Sequence, residues 1–309
     1  MDLAQDVLVS TEWLAEHLDD PTSRIVDCRF AFDQDMEQAY RERHIPGAVY
    51  LNWSRDLTDP DHSVEGMIAP PDHVAAMMEK LGIGDDTIVV GYDHEGGHFA
   101  ARLWLVLARY GHGSRVRILD GGWTAWTQEG RPTTSDETVL PDAGSTHFTI
   151  DPNHARPGLV ADWHEVLSAT GGNGPILLDV RRWSEFTGEE VRAARGGRIP
   201  NATWLFWQDT LNWSDDRRFK GLNDIASRAR DVGITPDTPV ITYCQGGVRA
   251  AHTAIALKLA GFDNVKVYDG SWAEWGNRAD LPIETGEPDS TTQQAANTTV
   301  PTAPTPAST

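Results

Sequence analysis

This sequence is written twice, and that restricts its fold more than any other feature. "IVDCRF" (25–30) matches "LLDVRR" (177–182), aligning Asp27 with Asp179 and Arg29 with Arg181. "HIPGAVYLNW" (44–53) matches "RIPNATWLFW" (198–207), and "LGIGDDTIVVGY" (81–92) matches "VGITPDTPVITY" (232–243). "DGGWTAW" (120–126) matches "DGSWAEW" (269–275). The offsets lie between 149 and 154 residues, and four collinear matches mark a tandem duplication. Whatever one half folds into, the other must fold into as well.

Each half alternates short apolar runs with helical patterns. A helix opens it ("STEWLAEHL" with Ser10 as N-cap, and "ADWHEVLSA"), followed by a buried strand ("RIVDC", "PILLDV") and a second apolar strand after Ile-Pro. Then come a helix ("PDHVAAMMEKLG", "GLNDIASRARDVG"), a central strand ("TIVVGY", "PVITY"), a long apolar helix, and a last strand leading to a Trp-rich turn. This pattern predicts an α/β fold: two tandem domains, each a mainly parallel sheet flanked by helices. The expected boundaries are 1–136 and 157–284, with an aperiodic linker at 137–156. Residues 285–309, low-complexity Thr/Ala/Pro, read as a disordered tail without catalytic residues.

The charge balance narrows the function. With 46 acidic against 26 basic residues, the formal net charge is −20, which argues against nucleic-acid and anionic-membrane partners. Only four of the basic residues are lysines (Lys80, Lys220, Lys258, Lys266), a composition like that of proteins from salt-loving cytoplasms. Two cysteines cannot build a disulfide framework, and "MDLAQDVLVS" lacks the basic region and apolar core of a signal peptide. The expected setting is cytoplasmic, with Cys28 and Cys244 as free thiols.

One of those thiols stands where chemistry is done. In "PVITYCQGGVRAAHTAIALKLAGF" (239–262), Cys244 to Val248 bridges the carboxyl end of a strand and the amino end of a helix closed by Gly261. Ala251, Ile255 and Leu259 give that helix a core face. Gly246 and Gly247 let backbone N–H groups turn inward, so loop and helix terminus form an anion cradle. At its rim, amide dipoles and the nearby Arg249 guanidinium favour the Cys244 thiolate, and the planar Arg249 fork suits anionic oxygens. No histidine lies in the loop, so activation is electrostatic. Cys28, in mid-strand, reads as a buried thiol, and His94 with His98 as too weak a pattern for a metal site.

"YRERHIPGAVYL" (40–51) and "VKVYDGSWAEW" (265–275) resemble the N- and C-terminal signatures of the rhodanese family, and the likeness spans about residues 5–283 in two copies. The resemblance implies two tandem rhodanese-like domains and a two-domain thiosulfate or 3-mercaptopyruvate sulfurtransferase. Cys244 would carry the persulfide, and Cys244, Gln245, Gly246, Gly247, Val248 and Arg249 would form the active-site loop. No cofactor or metal is implied. Sulfur would pass from thiosulfate to cyanide or a thiol by a ping-pong route, with Arg249 and Arg181 orienting the sulfonate. A protein acceptor is possible in that scheme. In the first domain Asp93 takes the place of Cys244, which implies a catalytically inactive partner whose charge repels an anionic donor.

The sequence departs from the family pattern in three places. Arg198 replaces a histidine and is expected in the scaffold. Glu185 stands where some relatives carry a substrate-binding arginine, and is expected to hold Arg249 or Arg181. For Arg181 a purely structural pair with Asp179 or Glu185 is an equal alternative. The "CQGGVR" loop matches neither the mercaptopyruvate nor the vertebrate thiosulfate pattern, and its arginine favours a compact sulfonate-like donor. The alternatives are 3-mercaptopyruvate transfer, a persulfide carrier serving a biosynthetic partner, and a Cdc25-like phosphatase. The last is disfavoured because its loop has one more residue between cysteine and arginine. Trp204, Trp207 and Trp213 are candidates for the cleft wall, though mostly core by type, and His252 for an ordinary helix face.

Overall fold

The computed structural model describes residues 7–142 and 144–288; most of the predicted tail lies outside them. In the first half, β1 (Leu8–Val9), β2 (Ser23–Asp27), β3 (Ala48–Tyr50), β4 (Ile88–Tyr92) and β5 (Val116–Leu119) pair in the order β1-β5-β4-β2-β3. In the second, β6 (Val160–Ala161), β7 (Ile176–Asp179), β8 (Thr203–Trp204), β9 (Val240–Tyr243) and β10 (Val265–Tyr268) repeat that order as β6-β10-β9-β7-β8. Every strand pair is parallel. After β7 the chain steps outward to β8, and after β9 it steps the other way to β10, so a crevice opens at the carboxyl ends of β7 and β9.

The halves meet through their longest helices, His98–Arg109 and Val248–Leu259. The predicted single core face on the latter is too narrow. Val248 and every residue from Ala250 to Leu257 are buried, because its own sheet covers one side and the first-domain helix the other. One apolar core therefore runs from Leu103 and Leu107 through Ala251 and Ile255, with smaller clusters on the outer face of each sheet. Burying an isoleucine or leucine there contributes about 1.5–3 kcal/mol per side chain. Helix ends follow local chemistry: Ser10 Oγ accepts the Trp13 N–H, and Gly261, just past the last helix turn, takes φ +88°.

The predicted linker is fastened to the first domain. Thr138 donates to the Ala48 carbonyl, Phe148 is buried beside His112, and the Arg156 N–H meets the Arg109 carbonyl. Arg198 is scaffold as expected: it bridges Glu284 through both backbone and side chain, and donates to the Gly286 carbonyl.

Candidate active site

β9 ends at Tyr243 and the helix begins at Val248, leaving four residues to make the turn. Gly247 takes φ +74°, and a Cβ there would stand 2.8 Å from Arg102 Nη1 and 3.1 Å from Asp269, so glycine is required twice over. A Cβ on Gly246 would meet nothing within 4 Å, so that residue leaves the approach open. Ser271 Oγ accepts the N–H groups of Cys244 (3.1 Å) and Gly247 (3.2 Å) and donates to the Tyr268 carbonyl. The N–H groups of Gln245, Gly246, Val248 and Arg249 find no protein acceptor among the described residues.

Cys244 lies on the floor of a cleft of about 1070 Å³ between the domains, only 1 % exposed, rather than at a rim. The carbonyls of Cys244 and Gln245 accept the N–H groups of Trp272 and Ala273, which draws the loop down onto the helix Ser271–Trp275. Cys28 is buried and free, and burial, with the Asp93 and Asp27 charges, pushes its thiol well up.

Arg249 Nη1 and Nη2 donate to the two carboxylate oxygens of Glu185 at 2.8 and 3.0 Å. Burial would raise the fully enclosed Glu185 carboxyl, but the Arg249 fork overrides it and brings the group down to about 2. Burial pushes the Arg249 guanidinium down, yet Glu185 and the charge of Cys244 carry it above its ordinary value. The short helix Trp183–Thr187 presents Glu185, which also caps its own helix by accepting the Arg182 N–H at 3.2 Å. Arg192 Nη1 lies 3.6 Å from the same carboxylate, and Arg182 Nε 3.7 Å.

Two regions, residues 10–129 and 162–278, match the rhodanese-like domain. The chain belongs to the rhodanese family. It is 38% identical over 297 residues to a thiosulfate sulfurtransferase from Corynebacterium glutamicum, covering 91% of each chain. It is 35% identical over 291 residues to the sulfur carrier protein TtuD of Thermus thermophilus, covering 91% of this chain and 98% of the relative. The crystal structure of the 3-mercaptopyruvate sulfotransferase SseA from Escherichia coli superimposes with a TM-score of 0.75 at 30% identity, over 87% of this chain and 100% of the other. Sulfurtransferase activity is the family's chemistry, and these relatives divide over the donor.

In this rhodanese chain the first-domain loop shows where an anion sits. Asp93 follows β4 as Cys244 follows β9, and its carboxylate accepts four N–H groups: Glu95 (2.8 Å), Gly97 (2.9 Å), Phe99 (2.8 Å) and Ala100 (3.1 Å). The expectation that Asp93 repels a donor is corrected. The carboxylate is fully buried and fills its own cradle. That loop is also one residue longer, with four residues separating Asp93 from the helix at His98 against three in the second domain, and Phe99 stands in the position of Arg249.

Arg181 does not reach the cleft, which corrects its expected contact with substrate. It is 1 % exposed, doubly bonded to Asp179, and donates to the Gly197 carbonyl while stacking over Trp272. Arg29 and Asp27 make the same pair in the first domain, under Trp123, where there is no cysteine to serve. The pair Asp179–Arg181 is therefore scaffold. Of the three tryptophans, Trp207 and Trp213 line the cleft, whereas Trp204 donates to the Arg181 carbonyl and packs on Trp183. His252 is no ordinary helix face. It is buried at the domain junction, stacked on Phe219, with Nε2 3.1 Å from the Gly96 carbonyl, and burial drives it down to about 3.

Sequence reasoning missed Ser271, Arg182 and Arg192. Ser271 sits inside the quoted "DGSWAEW" repeat, where its alignment with Gly122 was the available signal. The two arginines flank Glu185 in a segment with little regular structure. Among the described residues no group of three His, Cys, Asp or Glu side chains is placed to hold a metal ion.

Proposed function

We propose that this sulfurtransferase takes sulfur from thiosulfate and carries it as a persulfide on Cys244. The Cys244 thiolate attacks the outer sulfur of thiosulfate, the S–S bond to the sulfonate breaks, and sulfite leaves with the electron pair. The terminal persulfide sulfur is then stabilised by the free N–H groups of Gln245, Gly246, Val248 and Arg249. Cyanide, or a thiolate, attacks that sulfur and regenerates the Cys244 thiolate, which gives ping-pong kinetics. Gly247 supplies the turn, and Glu185 fixes the Arg249 fork beside the sulfur. Arg192 and Arg182 at the cleft wall attract the sulfonate in the role first assigned to Arg181.

The observation that carries this reading is the contrast between the two loops. A carboxylate takes four amides of the first, whereas in the second the N–H groups of Gln245, Gly246, Val248 and Arg249 have no acceptor among the described residues. The six-residue loop disfavours phosphate esters, and the Arg249 fork and the relative named thiosulfate sulfurtransferase favour thiosulfate over 3-mercaptopyruvate. The first domain acts as a non-catalytic wall. Incubation with thiosulfate should add about 32 Da, one sulfur, to the peptide containing Cys244. Parallel lines in double-reciprocal plots with cyanide should follow. Faster loading by 3-mercaptopyruvate would reassign the donor, and a single stoichiometric transfer without turnover would make the protein a carrier.

A further inference from the structure

The cleft is electrically divided. Its three arginines, Arg182, Arg192 and Arg249, all belong to the second domain, and its four carboxylates, Asp33, Asp59, Glu65 and Glu95, all belong to the first. Glu95 lies in the field of Arg217 and Arg249, whereas Asp33, Asp59 and Glu65 form no ion pair among the described residues. The same wall is aromatic. Phe30 meets Phe32, Trp53 and Phe99 edge-on at 5.1, 5.6 and 5.5 Å between ring centres, and Phe32 is 80 % exposed. The cleft's other aromatic edge already holds a cation, since the Arg217 guanidinium lies 3.5 Å over the Trp213 ring. An anionic donor is drawn to the arginine wall. Whatever settles against the opposite wall must suit rings and unpaired carboxylates, which is the chemistry of an organic cation.

We propose that the first-domain wall is the acceptor's site and selects small thiols that carry an ammonium group. The inference rests on the persulfide reading. The acceptor thiolate attacks the terminal sulfur of the Cys244 persulfide, forming its own persulfide and returning the electron pair of the broken S–S bond to Cys244. No redox partner is consumed. The acceptor's ammonium group meets Asp33, Asp59 and Glu65 while its carbon chain lies on the Phe30 and Phe32 rings. An anionic thiol entering the same way passes three like charges.

The test separates the half-reactions. Full-length protein is loaded with thiosulfate, sulfite release is measured, and excess donor is removed. Discharge of Cys244 is then timed by mass spectrometry with cysteamine, 2-mercaptoethanol or 3-mercaptopropionate at equal thiolate concentration. Cysteamine should discharge the persulfide about tenfold faster than 2-mercaptoethanol, with 3-mercaptopropionate slowest, a preference of the size expected for one ammonium group against rings and carboxylates. The triple substitution Asp33→Asn, Asp59→Asn, Glu65→Gln should shrink that preference to within about twofold. A remote set of exposed acids, Glu12→Gln, Glu16→Gln, Asp237→Asn, should leave it intact, because overall net charge is then not the cause. Equal rates for the three thiols, a preference surviving the cleft substitutions, or equal loss in the remote set would each overturn the proposal. Failure to load sulfur in the first step would overturn the persulfide reading as well, and is seen before any acceptor is added.

Discussion

Replacing Asp93 with alanine should cost stability and spare catalysis. Its carboxylate takes four N–H groups, three of them buried, with Phe99 and Ala100 in the first turn of the helix that packs against the second domain. Loss of a helix cap costs about 0.5–2 kcal/mol, and each buried N–H left without an acceptor about 1–3 kcal/mol. Water entering the space vacated by the carboxylate, and relief from burying its charge, offset part of this. The net expectation is about 3 kcal/mol, read as a lower urea midpoint at unchanged slope. Asp93→Asn keeps one oxygen but turns an NH₂ toward two donors, and should fall between the parent and alanine. Thiosulfate–cyanide turnover of the folded protein should stay within about threefold of the parent, since the Asp93 carboxylate is fully buried and bonds only amides of its own loop and helix start. An unfolding free energy for Asp93→Ala within about 0.5 kcal/mol of the parent, from urea unfolding, would refute the cradle argument for both loops.

Cys244→Ser should abolish sulfur loading and turnover with an unchanged melting transition, since the loop is held through the Cys244 backbone, whose N–H meets Ser271 and whose carbonyl meets Trp272; residual turnover above about one per cent would move the nucleophile elsewhere. Glu185 is held near 2, below its ordinary 4.5, so the stability it contributes is complete above about pH 4.5 and is lost as pH falls toward 2. Between pH 6 and pH 3 the parent should lose about 2 kcal/mol more than Glu185→Gln, measured by denaturant midpoints at each pH. Arg181→Met should strand the buried Asp179 carboxylate and lower stability by about 3–5 kcal/mol. It should leave the apparent KM for thiosulfate within about twofold, whereas a tenfold rise would restore Arg181 to the binding site.

The duplication made most of the fold legible, because two noisy readings of one pattern reinforce each other at every buried strand. The edge strands β1 and β6 were not legible: at two residues each they have no periodicity and are recognised only by pairing with β5 and β10. The helix Met36–Glu42 also escaped, since none of its residues is buried and it is held by the Asp35 cap and by Tyr40, which reaches the Ala48 carbonyl. At the site, Cys244 and the loop could be read from local order, strand–glycines–helix. Arg181 could not, because its choice between Asp179 and the cleft depends on how Trp272 and Gly197 close over it from distant parts of the chain. The complete burial of Val248–Leu259 had the same origin, since its second cover comes from the other domain.

The two copies also allow scaffold and chemistry to be separated without any relative in hand. A feature that both halves keep must serve what both halves do, which is to fold: the Asp–Arg pair beneath a tryptophan, the tyrosine ending the central strand, and the glycine with positive φ before the long helix all pass that test. A feature found in one half only has a local reason. In the second half these features are Cys244, the shorter loop, Arg249 with its Glu185 clamp, and Ser271 beneath the turn. They come from three separate segments and meet around a single sulfur. In the first half a carboxylate stands at the equivalent point and takes amides of its own loop and helix start, while Phe99 replaces the arginine and Gly122 the serine. Filling of that cradle explains how the first half holds its loop geometry: the anion that its amides converge on is its own side chain.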